Sequence, residues 1–283
     1  MIRKIATVLE MIKVQHTVFA LPFAVVGAVY AKRGVPTAWE CAWLLAAMVA
    51  ARSAAMAFNR AVDARFDAEN PRTRSRAIPQ GRLSPGFALA FAGVMAALFV
   101  LSAGMLNPLV FALSPVALIV TLGYSYTKRF TPLCHFVLGL GLALAPAGAW
   151  LAVRPEFDNF PLLVSGAVLL WVAGFDILYA CEDVDFDRRA GLRSIPASLG
   201  IPRALALSAF CHAAVVALLA AAVALHGLGG WFVAGLAAIA VLLAWEHALV
   251  RPDDLRRVNQ AFFHVNAAVS VTLGAAALLD LFL

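Results

Sequence analysis

Charge is scarce in this chain. Only 13% of its 283 residues are Asp, Glu, Lys or Arg, against 63% hydrophobic, and the mean hydropathy is +0.87. A soluble protein of this size could not hide that much apolar surface, so the composition excludes an ordinary globular domain in water and makes lipid the solvent. Cysteine is nearly as sparse. Cys41, Cys134, Cys181 and Cys211 stand apart with no Cys-x-x-Cys spacing, which argues against both a zinc site and a disulfide framework. No small-residue cleavage site follows the first apolar stretch, so a removable signal peptide is not expected. The net charge of +6 would raise the question of nucleic acid in a soluble protein, but here most of the basic residues fall in alternate loops, and no nucleic-acid partner is expected.

What the chain has instead is long apolar runs. A membrane span needs about 20 such residues. Nine runs qualify, at roughly 14–31, 38–58, 87–106, 108–126, 134–153, 161–180, 204–225, 231–250 and 261–282. Helices satisfy their own backbone polar groups, so the expected fold is all-α, a polytopic bundle of nine transmembrane helices. Pro22, Pro115 and Pro146 fall inside spans and are candidates for kinks. Gly139 and Gly141 would let neighbouring helices approach closely. With the N-terminus inside, the inner segments hold 18 Lys and Arg and the outer loops hold 3. That bias places the N-terminus in the cytoplasm and the C-terminus outside.

Two polar motifs interrupt this pattern. Asn59, Asp63 and Asp67 follow the second run at i, i+4 and i+8, each pair about 6 Å apart along a continuing helix. Tyr179, Asp183 and Asp187 repeat the spacing at the end of the sixth run. Taken singly, either pair reads equally well as a solvated helix end. Each copy, however, leads into a basic loop containing Arg-x-Ile-Pro: Arg76 to Pro79 in the first, Arg193 to Pro196 in the second. The repetition suggests one integral-membrane domain over residues 1–283, made of two pseudo-repeated four-helix halves, about 14–126 and 134–250, and closed by a ninth helix. Both motifs then fall at cytoplasmic ends of spans, the common compartment that a shared active site requires.

Each carboxylate within a membrane costs roughly 2.5–3.5 kcal/mol even on the mild insertion scale. Four of them must therefore line a wet cavity or meet cations. Mg²⁺, a hard cation that takes oxygen ligands and shares them with phosphates, would satisfy both pairs and leave coordination sites for a diphosphate. Arg72, Arg76, Lys128, Arg129, Arg188 and Arg193, some of which also serve as positive-inside anchors, would hold the remaining phosphate oxygens. The apolar bundle would accept a long hydrocarbon tail. Metal and arginine stabilise a departing diphosphate, and if the lipid is allylic the carbocation left behind needs shielding from water. An electron-rich aromatic acceptor would capture it.

These residues carry a resemblance. Asn59-x-x-x-Asp63-x-x-x-Asp67, Tyr179-x-x-x-Asp183-x-x-x-Asp187 and Tyr124-Ser-Tyr-Thr-Lys128-Arg129-Phe-Thr together resemble the UbiA superfamily of intramembrane aromatic prenyltransferases, from about His16 to the end of the chain. His16-Thr-Val-Phe-Ala-Leu-Pro22-Phe and Asp176-Ile-Leu-Tyr-Ala-Cys-Glu-Asp-Val-Asp-Phe-Asp resemble its 4-hydroxybenzoate polyprenyltransferase-like branch. The resemblance implies Mg²⁺ at Asp63, Asp67, Asp183 and Asp187, with Asn59 and Tyr179 assisting and Lys128 near the diphosphate. It implies transfer of a polyprenyl group from an allylic polyprenyl diphosphate to a hydroxylated aromatic acid, for ubiquinone or menaquinone synthesis, in the cytoplasmic membrane of a bacterium. A naphthoate of the futalosine menaquinone route, or another lipophilic acceptor, is the alternative. Arg60 is a departure, since many relatives carry an acidic residue after the asparagine.

Three residues are candidates for the acceptor pocket. Arg52 lies seven before Asn59 on the same helical face, about 10 Å deeper, and would suit an aromatic carboxylate or a structural partner such as Asp176. Asp176, seven before Asp183, invites the same two readings, and His16 is the third candidate. His212, His226, His247 and His264 show no ligand spacing and read as packing or interfacial residues. A cation-coupled secondary transporter is the reading from another class, because acidic residues in repeated spans also suit ion coupling. Arginine loops beside doubled aspartate pairs favour the enzyme.

Overall fold

The computed structural model describes residues 2–13 and 17–283. Its helices are α1 (Ile2–Ile12), α2 (Thr17–Lys32), α3 (Ala38–Val62), α4 (Ala64–Glu69), α5 (Pro85–Leu106), α6 (Pro108–Thr127), α7 (Cys134–Val153), α8 (Asn159–Ala180), α9 (Val184–Arg189), α10 (Ile195–Leu199), α11 (Ile201–His226), α12 (Gly230–Leu249), α13 (Val258–Gln260) and α14 (Asn266–Phe282). A 3-10 turn (Cys181–Asp183) joins α8 to α9, and a π turn (Ala261–Val265) joins α13 to α14. Among the described residues, eight helical stretches are long and apolar enough to cross a bilayer. The first expected crossing corresponds to α2, where the apolar segment Leu21–Lys32 is shorter than the others. The chain is an all-helical, multi-pass membrane protein.

Local chemistry sets the helix boundaries. Thr37 and Glu40 form a capping box at the start of α3: the Glu40 amide donates to Thr37 Oγ1 (3.2 Å), and the Thr37 amide to Glu40 Oε2 (2.7 Å). Ser84 accepts from the Phe87 amide, with Pro85 opening α5, and Asp158 accepts from the Phe160 amide at the start of α8. Gly227, at φ +61°, closes α11 in the left-handed conformation. Large apolar side chains at mid-helix stay bare, among them Ile119 (72% exposed), Phe210 (70%) and Val241 (68%). Acyl chains accommodate such a surface and water does not.

The chain forms two compact units, the first holding α1 and α3 to α6, the second α2 and α7 to α14. In the first, α3 lies along α5, and α1 covers them through a cluster of Met11, Ile12, Ala57, Ile78, Ala88 and Ala92. Arg82 grips Glu10 of α1 in bidentate fashion, at 2.7 and 2.8 Å. In the second, α8 is the central helix, packed against α7 and α11, while α12 pairs with α14. The close approach of α7 to α8 depends on Gly139, where a Cβ would collide with the Leu169 carbonyl.

Two polar devices tie the second unit together. Asp280, near the end of α14, accepts from the amides of Gly229 (2.9 Å) and Phe232 (3.1 Å) and from the Tyr30 hydroxyl (3.4 Å), and so caps α12 from another helix. Asp280→Ala is expected to cost about 1–2 kcal/mol of stability, as loss of an N-cap does. A lowered thermal midpoint in detergent with unchanged substrate KM values would be the measured result. The second device is buried: Trp171 Nε1 donates to Asn266 Oδ1 (2.6 Å), and Asn266 Nδ2 donates to Glu246 Oε1 (2.8 Å) and to the Phe262 carbonyl (3.1 Å) within the π turn. His212 joins it, with Nε2 3.2 Å from the Trp171 carbonyl and Nδ1 2.9 Å from His247 Nε2. His212 and His247 thus make specific hydrogen bonds, beyond the packing or interfacial role that their spacing suggests.

Candidate active site

Both aspartate motifs are built at a break in a long helix. In the first unit α3 stops at Val62 and α4 begins at Ala64, leaving Asp63 between them at φ −92°, ψ 9°. In the second unit Asp183 closes the 3-10 turn directly ahead of α9, at φ −103°, ψ 5°. Both first aspartates adopt the sparsely populated bridge conformation, where active-site residues often sit. The continuous helix expected from the spacing is therefore replaced in each copy by a bent junction. The first copy keeps its hydrogen-bond phase through the bend, with the Asp63 amide donating to the Asn59 carbonyl (2.9 Å) and the Asp67 amide to the Asp63 carbonyl (2.8 Å).

The side chains of each copy are deeply set. Asp67, Asp183 and Asp187 are 6%, 7% and 0% exposed. Asn59 Nδ2 donates to Asp63 Oδ2 (2.8 Å), which orients that carboxylate. Asp67 Oδ1 accepts from Arg76 of the first Arg-x-Ile-Pro loop at 2.6 Å. Its Oδ2 is buried and makes no hydrogen bond, with Arg60 Nη1 standing 3.9 Å away. Arg60, the departure noted in the sequence, is thus a buried cation beside the second aspartate of its own motif.

The second copy holds its second aspartate differently. Asp187 Oδ2 accepts from the Ser194 hydroxyl (2.6 Å), and Oδ1 lies 2.8 Å from Lys128 Nζ. Ser194 takes the place that Ala77 occupies in the first loop. Burial works against the Lys128 charge, but Asp187 beside it, with Asp183 and Cys134 adding to the effect, holds the ammonium above its ordinary value of 10.5. Arg193 turns aside: its amide donates to the Lys128 carbonyl (2.7 Å) and its Nη1 to the Phe130 carbonyl (3.1 Å). Arg188 Nε likewise donates to the Ala197 carbonyl (3.1 Å). Arg72, Arg129, Arg188 and Arg193 are exposed, whereas Arg76 and Lys128 are partly buried against their aspartates. Tyr179 stacks on Phe262 with ring centroids 4.2 Å apart.

Of the candidates for an acceptor pocket, Arg52 is set within α3 and its Nε is buried without a hydrogen-bond partner. Asp176 pairs with His135, Oδ2 to Nδ1 at 2.7 Å. His16 lies outside the described residues. Sequence reasoning passed over His135 and Ser194, both buried, the first one hydrogen bond from Asp176 and the second one hydrogen bond from Asp187.

The donor set suits a hard divalent cation. All of it is oxygen, each copy supplies two carboxylates, and Asp67 Oδ2 is a buried acceptor still open for a ligand. Among the described residues no three His, Cys, Asp or Glu cluster at metal-binding distance, so a cation held by one pair would draw its other ligands from substrate or water.

The profile of the UbiA prenyltransferase family matches residues 20–267. A 4-hydroxybenzoate octaprenyltransferase of Thiobacillus denitrificans is 34% identical over 227 residues, spanning 80% of this chain and 77% of that protein. Among solved structures, the apo structure of a UbiA homolog from Aeropyrum pernix K1 matches with a TM-score of 0.86 at 38% identity, covering 94% of this chain and 98% of that one. A UbiA homolog from Archaeoglobus fulgidus, bound to DMAPP and Mg²⁺, shares the fold at 18% identity, with a TM-score of 0.76 over 97% of this chain and 99% of its own.

Proposed function

Because the chain belongs to the UbiA prenyltransferase family, we propose that it transfers a polyprenyl group from an allylic polyprenyl diphosphate to a hydroxylated aromatic acid of the 4-hydroxybenzoate kind. Such a product feeds quinone synthesis. The observation that carries this reading is the doubled motif, in which buried aspartates at helix breaks stand against Arg76 in one unit and Lys128 in the other. Its length and apolar helices fit a lipid substrate, and a relative named for 4-hydroxybenzoate and an octaprenyl chain supports the substrate pair. Its home is the cytoplasmic membrane, with the motifs opening to the cytoplasm, a reading that the bias of 18 basic residues to 3 supports.

Asp63 and Asp67 in one unit, and Asp183 and Asp187 in the other, are the ligands for Mg²⁺, with Asn59 orienting Asp63. When bound, Mg²⁺ neutralises the charge that develops on the departing diphosphate. Arg76 and Lys128 bind phosphate oxygens, Arg76 with a planar fork and Lys128 as a point charge. In the absence of substrate each rests on an aspartate, which keeps the carboxylates compensated until a cation replaces them. The apolar helices take the hydrocarbon tail and keep water from the allylic centre. Arg52 receives the acceptor carboxylate.

Incubating membranes that contain the protein with allylic diphosphates of several lengths and a panel of aromatic acids tests the reading. Diphosphate release coupled to a prenylated aromatic acid is the expected outcome. Release without aromatic product, or none with any acid of the panel, overturns it.

Lys128→Ala should raise the prenyl diphosphate KM about tenfold while leaving the aromatic acid KM unchanged, the loss of one charge-assisted contact. A change confined to the acid KM would assign Lys128 to the other substrate. The pH dependence has a defined sign. A lysine whose folded pKa is raised contributes fully below the ordinary 10.5 and loses its contribution only as the pH climbs through the higher value. The stability difference between wild type and Lys128→Ala, measured on the metal-free protein in detergent, should therefore stay flat from pH 7 to about 10, and a fall within that window would contradict the pairing with Asp187.

A further inference from the structure

We propose that His135 is a positioning residue for the second aspartate pair: a neutral imidazole that pins the backbone of Ile195 and so keeps the Ser194 hydroxyl on Asp187 while that carboxylate exchanges Lys128 for a cation. The proposal rests on the reading of Asp187 as a cation ligand.

His135 is the second residue of α7 and is 2% exposed. Its two ring nitrogens face two elements. Nδ1 is 2.7 Å from Asp176 Oδ2 on α8, and Nε2 is 3.2 Å from the amide nitrogen of Ile195 at the start of α10. A backbone amide can only donate, so Nε2 carries no proton and the ring proton is on Nδ1, directed at Asp176. An imidazolium, with N–H at both positions, would repel the Ile195 amide. The carboxylate therefore fixes ring orientation and tautomer together, as it does for histidines that bind a metal through their other ring nitrogen.

The pinned backbone reaches Asp187 through one residue. Ser194 is 0% exposed and precedes Ile195. Its oxygen accepts from the Ala197 amide (3.3 Å), and its single proton goes to Asp187 Oδ2 (2.6 Å). Three consecutive residues are thus tied down: Arg193 by the Lys128 carbonyl, Ser194 by Asp187 and Ile195 by His135. Asp187 has one oxygen on a fixed hydroxyl and the other on the movable Lys128 ammonium. A cation arriving at Oδ1 displaces Lys128, and the Ser194 bond keeps the carboxylate from turning as it does so. The first copy has no such device, since Ala77 stands where Ser194 does and Arg76 holds Asp67 directly.

The two amide isosteres of histidine separate the two bonds. Asparagine keeps a donor at the δ position for Asp176 but has nothing to accept from Ile195, whereas glutamine places an acceptor at the ε position. Binding of Mn²⁺ alone to the purified protein in detergent, followed by electron paramagnetic resonance, reads the site without turnover. Ser194→Ala and His135→Asn should each weaken one class of Mn²⁺ by roughly 10- to 100-fold, the usual effect of losing a partner of a metal ligand. His135→Gln should stay within about threefold of wild type, and combining His135→Asn with Ser194→Ala should add little to either alone, because both act through one bond. Asp187→Ala is the control and should lose that class of Mn²⁺ altogether. If Asp187→Ala binds Mn²⁺ as wild type does, the reading of Asp187 as a ligand falls, and this proposal falls with it. If Asp187→Ala loses the ion but Ser194→Ala binds normally, or His135→Gln is as weak as His135→Asn, the positioning role alone is overturned.

Discussion

Alanine at Asp187 should lower prenyl transfer by about a thousandfold or more, and alanine at Asp63, Asp67 or Asp183 should do the same. A bound metal ion is worth several kcal/mol of transition-state charge stabilisation, and each 1.36 kcal/mol is a factor of ten. Asp187 is fully buried with both oxygens committed, to Ser194 and Lys128, so its loss also strands the Lys128 ammonium. Asp67→Ala strands Arg76 and leaves the buried Arg60 without its nearest carboxylate. Uncompensated buried charge costs about 3–5 kcal/mol of stability, so folding must be measured beside turnover. Asp67→Asn and Asp187→Asn, which preserve shape, separate the two effects: they should stay folded and still lose turnover. Near-wild-type transfer by any two of the four alanine variants would rule out a two-metal site.

Arg52→Gln should give the second large effect, and that effect should fall on the acceptor alone. Arg52 Nε is buried without a hydrogen bond, an arrangement that costs free energy unless a ligand completes it. It stands two turns before Asn59 on α3, about 10 Å deeper. Loss of a charge-assisted bond to a carboxylate costs about 1.5–3 kcal/mol, or roughly tenfold to a hundredfold in acceptor kcat/KM. Prenyl diphosphate KM should barely change. Acceptor kinetics at saturating diphosphate, repeated with an analogue whose carboxylate is an amide, give the decisive comparison. The wild type should prefer the acid and the variant should not; a variant that keeps the preference would make Arg52 a structural residue.

The aspartates were legible because their chemistry is local: the i, i+4 spacing and the Arg-x-Ile-Pro that follows can be read from single stretches of chain. The breaks at Asp63 and Asp183 were not, since neither Gly nor Pro marks them and the residues around them are compatible with a continuous helix. His135 and Ser194 were invisible for another reason. His135 meets Asp176 and Ile195 across 41 and 60 residues of sequence, and no periodicity encodes such a pairing. Only the contrast of Ser194 with Ala77 at matching loop positions hinted that the two copies hold their aspartates differently. The membership of α2 in the second unit follows from its packing, for example Gly27 against the Pro146 backbone, and not from its place in the chain. Charge pattern also could not tell an arginine that meets an aspartate, such as Arg76, from one that meets a carbonyl, such as Arg193.

The π turn at Ala261–Val265 has a consequence for phase. A π turn carries one more residue than the α turn it replaces. With 3.6 residues per turn, that extra residue rotates everything before it by about 100° relative to α14. Phe262 meets both Tyr179 and Phe175 from within this turn, while Asn266 just beyond it faces Trp171 and Glu246. Removing one residue from 263–265 would close the turn as a regular α-helix with both flanks in place, whereas the same residues forced into an α turn would carry Phe262 about 100° off the Tyr179 ring.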